Sequence, residues 1–285
     1  MGSRLTATVL VENTPAEGLR SEHGLSVHVR YGQLRLLLDF GQSDAFAHNA
    51  EVLGIDLATV DHAVLSHAHH DHANGMAAFF ARNGRAPLHL SEACAENCWS
   101  SKGGTVPPHY IGIRPGLLVQ YAERLSPASP DGTTTIAPGV HLVPHATGGL
   151  TELGERAGML LHEGGAWLPD GFAHETSLVF ELDAREPGGM LELAVFSSCS
   201  HAGLPIIASE VRAAFPGAHI AAYVGGLHLM RSADGDILQV AEAIRAVGIG
   251  HVHTGHCTGG RAVELLAREL PGRVGALRPG LALTL

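Results

Sequence analysis

The period of hydrophobic and polar positions changes several times along the chain, and each change marks an element. "TATVLVEN" and "LSVHVRYGQLRLLLDFG" are short, β-rich apolar runs broken by glycine and polar residues, which predicts two or three sheet strands with tight turns, the last ending in Asp39. "VDHAVLSHAHHDH" supplies a further strand at 63–65 that stops as the histidines begin, and "HANGMAAFFARNG" continues as a short helix ended by Gly84. From about Pro87 to Thr151 the pattern is irregular and rich in Gly, Pro and Ser, with a loop-rich insertion around 100–135 of the kind that covers or shapes a site. Regularity returns after Pro169. "TSLVFELDA" and "GMLELAVFSSCSHAG" read as strands joined through "REPGG", "LPIIASEVRAAFPG" as a helix, and "HIAAYVGGLHLM" as a strand running into a Gly-Gly turn. Ile237, Val240, Ala241, Ile244 and Val247 recur at three- and four-residue spacing, the buried face of one more helix. "GIGHVHTGHCTGG" is a strand and turn, and "RAVELLAREL" a last helix stopped by Pro271-Gly272.

The order is β-rich, then β/α, with histidines where strands end, and ligands of α/β proteins gather at such strand ends. The 285 residues read as one domain, 1–285, around a shared core; the hydrophobic fraction of 45% and charged fraction of 16% exclude disorder. With 28 acidic against 18 basic residues and a net charge of -10, no basic face for phosphates is visible, so nucleic acid is not an expected partner. The start lacks the features of a signal peptide, and no apolar run approaches the ~20 residues that span a bilayer. A cytoplasmic protein without a membrane partner is expected. Cys94, Cys98, Cys199 and Cys257 make neither a disulfide framework nor a zinc-knuckle pattern, so reduced thiols are expected.

"SHAHHDHANG", Ser66 to Gly75, concentrates the chemistry. A lone His-x-His is weak, but His67-x-His69-x-Asp71-His72 directly after a buried strand sets four ligand types in a fixed order. The turn suits two metal ions, with His67 and His69 on the first and Asp71 and His72 on the second. Imidazole and carboxylate suit Zn, with Mn or Fe as alternatives. Such an ion lowers the pKa of bound water to about 7, which makes hydroxide available for hydrolysis.

These residues, with Asp39 in "LLLDFG", resemble the H-x-H-x-D-H signature of the metallo-β-lactamase fold superfamily. "PDGFAHETSLVF", "SSCSHAGL", "YVGGLHL" and "GHCTGG", in that order, resemble its 7,8-dihydropterin-6-methyl-4-(ribofuranosyl)aminobenzene-phosphate synthase-like branch, from about Thr8 to Arg261. The resemblance implies an αββα sandwich, two mixed sheets flanked by helices, with one or two divalent ions at one edge. It adds His201 and His256 to the ligands, gives Asp39 the task of fixing a ligand imidazole through its other N–H, and places His228 at the pocket for substrate contact or proton transfer. His145 and Cys199 stay open as further ligands, and a bridging Asp common in such hydrolases is missing. Cys257 is expected to pack. The remaining histidines, His23 and His174 among them, have no comparable context, although His174 sits where the family often has an acid.

The implied activity is hydrolysis of a small-molecule ester, lactone, amide or phosphoester by a metal-held hydroxide at a dinuclear site, with Asp71 steering its proton. The family's synthase label implies the alternative of a transferase for pterin-like or phosphorylated aryl substrates. A non-catalytic metal-binding or redox module is the third reading. Oligomeric state is not encoded in these patterns.

Overall fold

The computed structural model describes residues 5–182 and 189–285, so the turn expected at 185–189 lies, but for Gly189, outside the described residues. Two seven-stranded sheets carry the architecture. The first runs Ala282–Thr284, Leu5–Val11, Ser26–Tyr31, Leu34–Leu38, His62–Val64, Leu88–Ser91 and Leu125–Ala128 from edge to edge. Its first four strands pair antiparallel, and its last four, from Leu34–Leu38 on, pair parallel. The second runs Val274–Ala276, His251–Thr254, His219–Val224, Glu192–Phe196, Thr176–Leu182, Val140–Pro144 and Thr134–Ala137. Here the first four pair parallel and the rest antiparallel.

Both faces of the central strands are buried, which is why they read as near-continuous apolar runs. Leu36 and Leu38 of the first sheet meet Leu178, Phe180, Ala194 and Phe196 of the second between the sheets. The alternate residues face outward: Leu37 and Ala63 pack on Phe46 of the helix Ala45–Val52 and on Met76 and Phe79 of the helix Met76–Phe80. Val179, Leu193, Val195 and Tyr223 pack on the helices Leu204–Ala214, Asp234–Val247 and Gly260–Glu269. The layers are therefore α/β/β/α, the metallo-β-lactamase fold expected from the sequence. Among the described residues no helix is long and apolar enough to cross a membrane.

Two local expectations need correction. The helix expected to run from His72 to Gly84 is two short ones, His70–Ala73 and Met76–Phe80, divided at Asn74-Gly75. Gly75 is required there by close approach, since a Cβ would lie 2.0 Å from the Phe40 carbonyl oxygen and 2.4 Å from that of Ser43. The irregular stretch from 87 to 151 also holds short strands. Cys98–Ser100 and His109–Tyr110 join Met159–Glu163 and Ala166–Pro169 in a small four-stranded sheet. Strands of two to five residues are too short to show a period, and the pairing of Cys98–Ser100 with Met159–Glu163 spans some sixty residues. This sheet is tied to the histidine turn: His70 N donates to the Ile111 carbonyl at 2.8 Å, and His69 bridges to Gly112.

Phe180 lies fully buried between the sheets, its ring 5.4 Å from Tyr31 and 5.5 Å from Phe196. Phe180→Ala is expected to cost about 3–5 kcal/mol, read as a lower denaturant midpoint at unchanged slope.

Candidate metal centre

The centre is assembled from loops that follow the parallel strands of both sheets. The strand Leu34–Leu38 ends in Asp39, buried and held at φ 57. Its Oδ1 accepts from the Ser66 amide at 2.7 Å, and its Oδ2 accepts from the Ser66 hydroxyl and from His72 Nδ1, each at 2.7 Å. With its proton given to Asp39, the Ser66 hydroxyl accepts from His67 Nδ1 at 2.8 Å. This fixes one tautomer on both rings and leaves each Nε2 with its lone pair.

Ligand-type residues from the far sheet are fixed in the same manner. His256 Nδ1 donates to Asn13 Oδ1 at 2.8 Å, and its amide donates to Glu12 Oε1 at 2.5 Å. Glu175 accepts the amides of His201 and Ala202, both at 2.8 Å, while the His201 ring stacks on Phe172 at 5.1 Å. Among the described residues, the non-glycine positions with positive φ are Asp39, Phe172, Ser200, His228, His256 and Lys102. All but Lys102 border this centre, and such strained backbone persists where the surroundings over-determine it.

Two groups of ligand atoms result. His67, His69 and His201 offer nitrogens within 4.8 Å of one another, and the Nε2 of each is buried without a hydrogen-bond partner. A buried unpaired polar atom costs about 1–3 kcal/mol, so three converging on one point call for a common partner. Protons are poor candidates for that role. Burial, reinforced by neighbouring imidazoles, holds His67 and His201 well below the usual histidine range and lowers His69 to about 3. Neutral imidazoles with free lone pairs are the donor set a divalent cation takes.

The second group is Asp71, His72 and His256. Asp71 Oδ2 lies 3.6 Å from His72 Nε2 and 3.3 Å from His256 Nε2, and the two nitrogens are 3.1 Å apart. At that separation two lone pairs repel, so a proton or a cation must stand between them. Burial pulls His72 down, but Asp71 and Asp39 outweigh it and raise its pKa to about 9. Cation binding there would displace that proton.

His228 stands exposed at the end of the Gly-Gly turn, its ring 4.5 Å from that of His201. Gly226 in that turn is needed because a Cβ would lie 2.4 Å from Cys257 Sγ. His145, open as a ligand by spacing, belongs elsewhere. Its Nδ1 meets Glu210 at 2.7 Å and its Nε2 meets Ser177 Oγ at 3.0 Å, so neither nitrogen is free.

Sequence reasoning passed over two histidines that the fold brings to the centre. His23 Nε2 lies 3.3 Å from Asp71 Oδ2, and its Nδ1 is 3.1 Å from Asn13 Nδ2. His174 accepts the Ala68 amide on Nδ1 at 3.2 Å and gives its Nε2 proton to Asp170 at 3.0 Å, bracing the backbone between His67 and His69. The one local signal was the pairing of Asp170 and His174 four residues apart; His23 had none.

The chain is similar to known proteins in sequence and in fold. The metallo-β-lactamase superfamily model matches residues 22–154. A curated relative from Methanocaldococcus jannaschii, 7,8-dihydropterin-6-methyl-4-(β-D-ribofuranosyl)-aminobenzene-5'-phosphate synthase, is 24% identical over 270 residues, covering 87% of this chain and 85% of its own. The crystal structure of a metal-dependent hydrolase of the β-lactamase superfamily superposes with a TM-score of 0.80 at 28% identity, over 99% of both chains. The metallo-β-lactamase fold protein YhfI from Bacillus subtilis gives a TM-score of 0.56 at 14% identity over 99% of both chains, a likeness of fold alone.

Asp39→Ala removes the acceptor that sets the His72 ring and, through Ser66, the His67 ring. Metal affinity is expected to fall 10–100-fold, measured by chelator competition on the folded variant.

Proposed function

We propose that this chain, which has the metallo-β-lactamase fold and matches that superfamily's model over residues 22–154, is a metal-dependent hydrolase with a dinuclear centre, acting on a small-molecule ester, lactone, amide or phosphoester. The observation that carries this reading is the convergence of three partnerless buried nitrogens, on His67, His69 and His201, beside the Asp71, His72 and His256 set. His67, His69 and His201 would hold one ion; Asp71, His72 and His256 would hold the other. Zinc is the first choice for such donors.

Ions in these positions would supply activated water at neutral pH and charge to stabilise the oxyanion of the attacked group. The chain supplies the rest. Asp71 stands in the second group, its Oδ2 3.6 Å from His72 Nε2 and 3.3 Å from His256 Nε2, where it can orient a water molecule and accept a proton. His228, exposed beside His201, meets the substrate at the mouth and can carry a proton to the leaving group. Phe172, stacked on His201, shields that side of the centre from water.

The name of the Methanocaldococcus jannaschii relative favours a second reading, transfer between a pterin-like and a phosphorylated aryl partner. The two differ in what accepts the transferred group, water or a second substrate.

Protein purified without added metal is expected to hold two zinc, manganese or iron equivalents by elemental analysis, lost in the His67→Ala/His69→Ala double variant. Screened against phosphoesters and lactones, it is expected to show turnover that Asp71→Asn lowers about 10²–10⁴-fold in kcat. No bound metal even after reconstitution overturns the reading, and turnover only in the presence of a second organic substrate selects the transferase.

A further inference from the structure

The loop between the strands Ala166–Pro169 and Thr176–Leu182 carries Asp170, Phe172 and His174, all buried. With His69 and Cys98, Asp170 and His174 set four ligand-type atoms within 4.8 Å of one another. By donor type that is a zinc set, but the hydrogen bonds decide against it. His174 Nδ1 accepts the Ala68 amide at 3.2 Å. A cation on Nε2 would need a second lone pair, and a neutral imidazole has only one. A proton on Nδ1 would point at the Ala68 N–H. The ring therefore carries its one proton on Nε2, where Asp170 Oδ2 accepts it at 3.0 Å and Cys98 Sγ lies 3.6 Å away.

The Ala68 bond lies between two of the ligand-type residues. Ala68 separates His67 from His69, and both of its backbone groups are held from outside their turn: the amide by His174 and the carbonyl by the Ile113 N–H at 3.1 Å. The His174 ring also backs both imidazoles, its centroid 6.2 Å from that of His67 and 5.5 Å from that of His69. Asp170 reaches the third residue of the first group as well. Its Oδ1 accepts the Phe172 amide at 2.7 Å, and the Phe172 ring stacks on His201 at 5.1 Å. Asp170 is itself anchored, since its N–H donates to the Met159 carbonyl at 2.9 Å. The helix Leu150–Ala157 comes so close that a Cβ on Gly154 would lie 1.9 Å from the Asp170 carbonyl oxygen.

We propose that Asp170 is a positioning residue for the first cation position. By keeping the His174 proton on Nε2 it leaves Nδ1 free to fix the backbone that joins His67 to His69, and through Phe172 it sets His201. Asp39 orients imidazoles of the centre directly and through Ser66; Asp170 holds the backbone that carries them. The effect on metal binding rests on the dinuclear reading above, whereas the tautomer does not.

Asp170→Asn tests the proposal, because the Phe172 amide keeps the side-chain oxygen and turns the NH₂ group toward His174 Nε2. That nitrogen must then accept, the proton moves to Nδ1, and two N–H groups meet at Ala68. Imidazole ¹⁵N shifts, assigned against a His174 variant, are expected to show Nε2 protonated and Nδ1 bare in wild type, and the reverse in Asp170→Asn. By chelator competition, zinc affinity in Asp170→Asn is expected to fall about 10–100-fold for one of two equivalents. His174→Asn places a carbonyl oxygen where Nδ1 stands, so it is expected to bind zinc as wild type does. In that background Asp170→Asn is expected to cost nothing further, since no tautomer is left to set. A wild-type His174 protonated on Nδ1, or an equal loss from Asp170→Asn in both backgrounds, overturns the proposal. Should Asp170→Asn fail to fold, His174→Leu takes its place: it is expected to lose the affinity that His174→Asn keeps, and equal affinities overturn the proposal. Protein that shows the expected shifts yet binds no zinc overturns the dinuclear reading, and the positioning role with it.

Discussion

One buried carboxylate, with two protons of Ser66 and one of His72 aimed at it, decides which way two imidazoles of this centre, those of His67 and His72, face. Asp39 ends a strand of the first sheet in a left-handed conformation. Its oxygens collect the Ser66 amide, the Ser66 hydroxyl and His72 Nδ1, each at 2.7 Å. The hydroxyl, with its own proton committed, turns His67 the same way. An interaction this short and dry is strong, and it selects tautomers as well as positions. The Nε2 lone pairs of His67 and His72, one in each group of ligand atoms, therefore both trace to a residue that touches neither group's centre.

The sandwich gives that arrangement its frame. In each sheet the parallel strands end at the centre, so loops after Leu34–Leu38 and His62–Val64 meet loops after Glu192–Phe196, His219–Val224 and His251–Thr254. Glu12 and Asn13, just past the first strand of one sheet, grip His256 after a strand of the other. The inter-sheet core of Leu36, Leu38, Leu178, Phe180 and Phe196 holds the two ligand-bearing edges in register. What the core stabilises, the centre partly spends, through strained φ angles at Asp39, Phe172, Ser200, His228 and His256 and unpaired nitrogens on three histidines. A cation that satisfies those nitrogens binds the folded chain and not the unfolded one, so metal and fold stabilise each other.

The parts of this that were legible in the sequence are the contiguous ones. His67, His69, Asp71 and His72 share one turn, so spacing alone marked a cluster of ligand-type residues, and the 3.6-residue period of Ile237, Ala241 and Ile244 marked a face that is indeed buried. Residues joined only through space were beyond reach of spacing. His145 fell at a plausible distance along the chain, yet Glu210 and Ser177 occupy both its nitrogens. His23 reaches Asp71 from a loop with no regular pattern, and His174 acts on the Ala68 backbone, which no side-chain motif records. The small sheet joining Cys98–Ser100 to Met159–Glu163 escaped for the same reason: its strands are brief and its partners remote.

The central claim is that two cations sit in the two groups of ligand atoms. Anomalous scattering from crystals of the zinc-loaded protein, collected on either side of the zinc absorption edge, tests it most directly. The account predicts two peaks, one among His67, His69 and His201 and the other among Asp71, His72 and His256. Peaks located only outside these groups, or none in fully loaded protein, would contradict it.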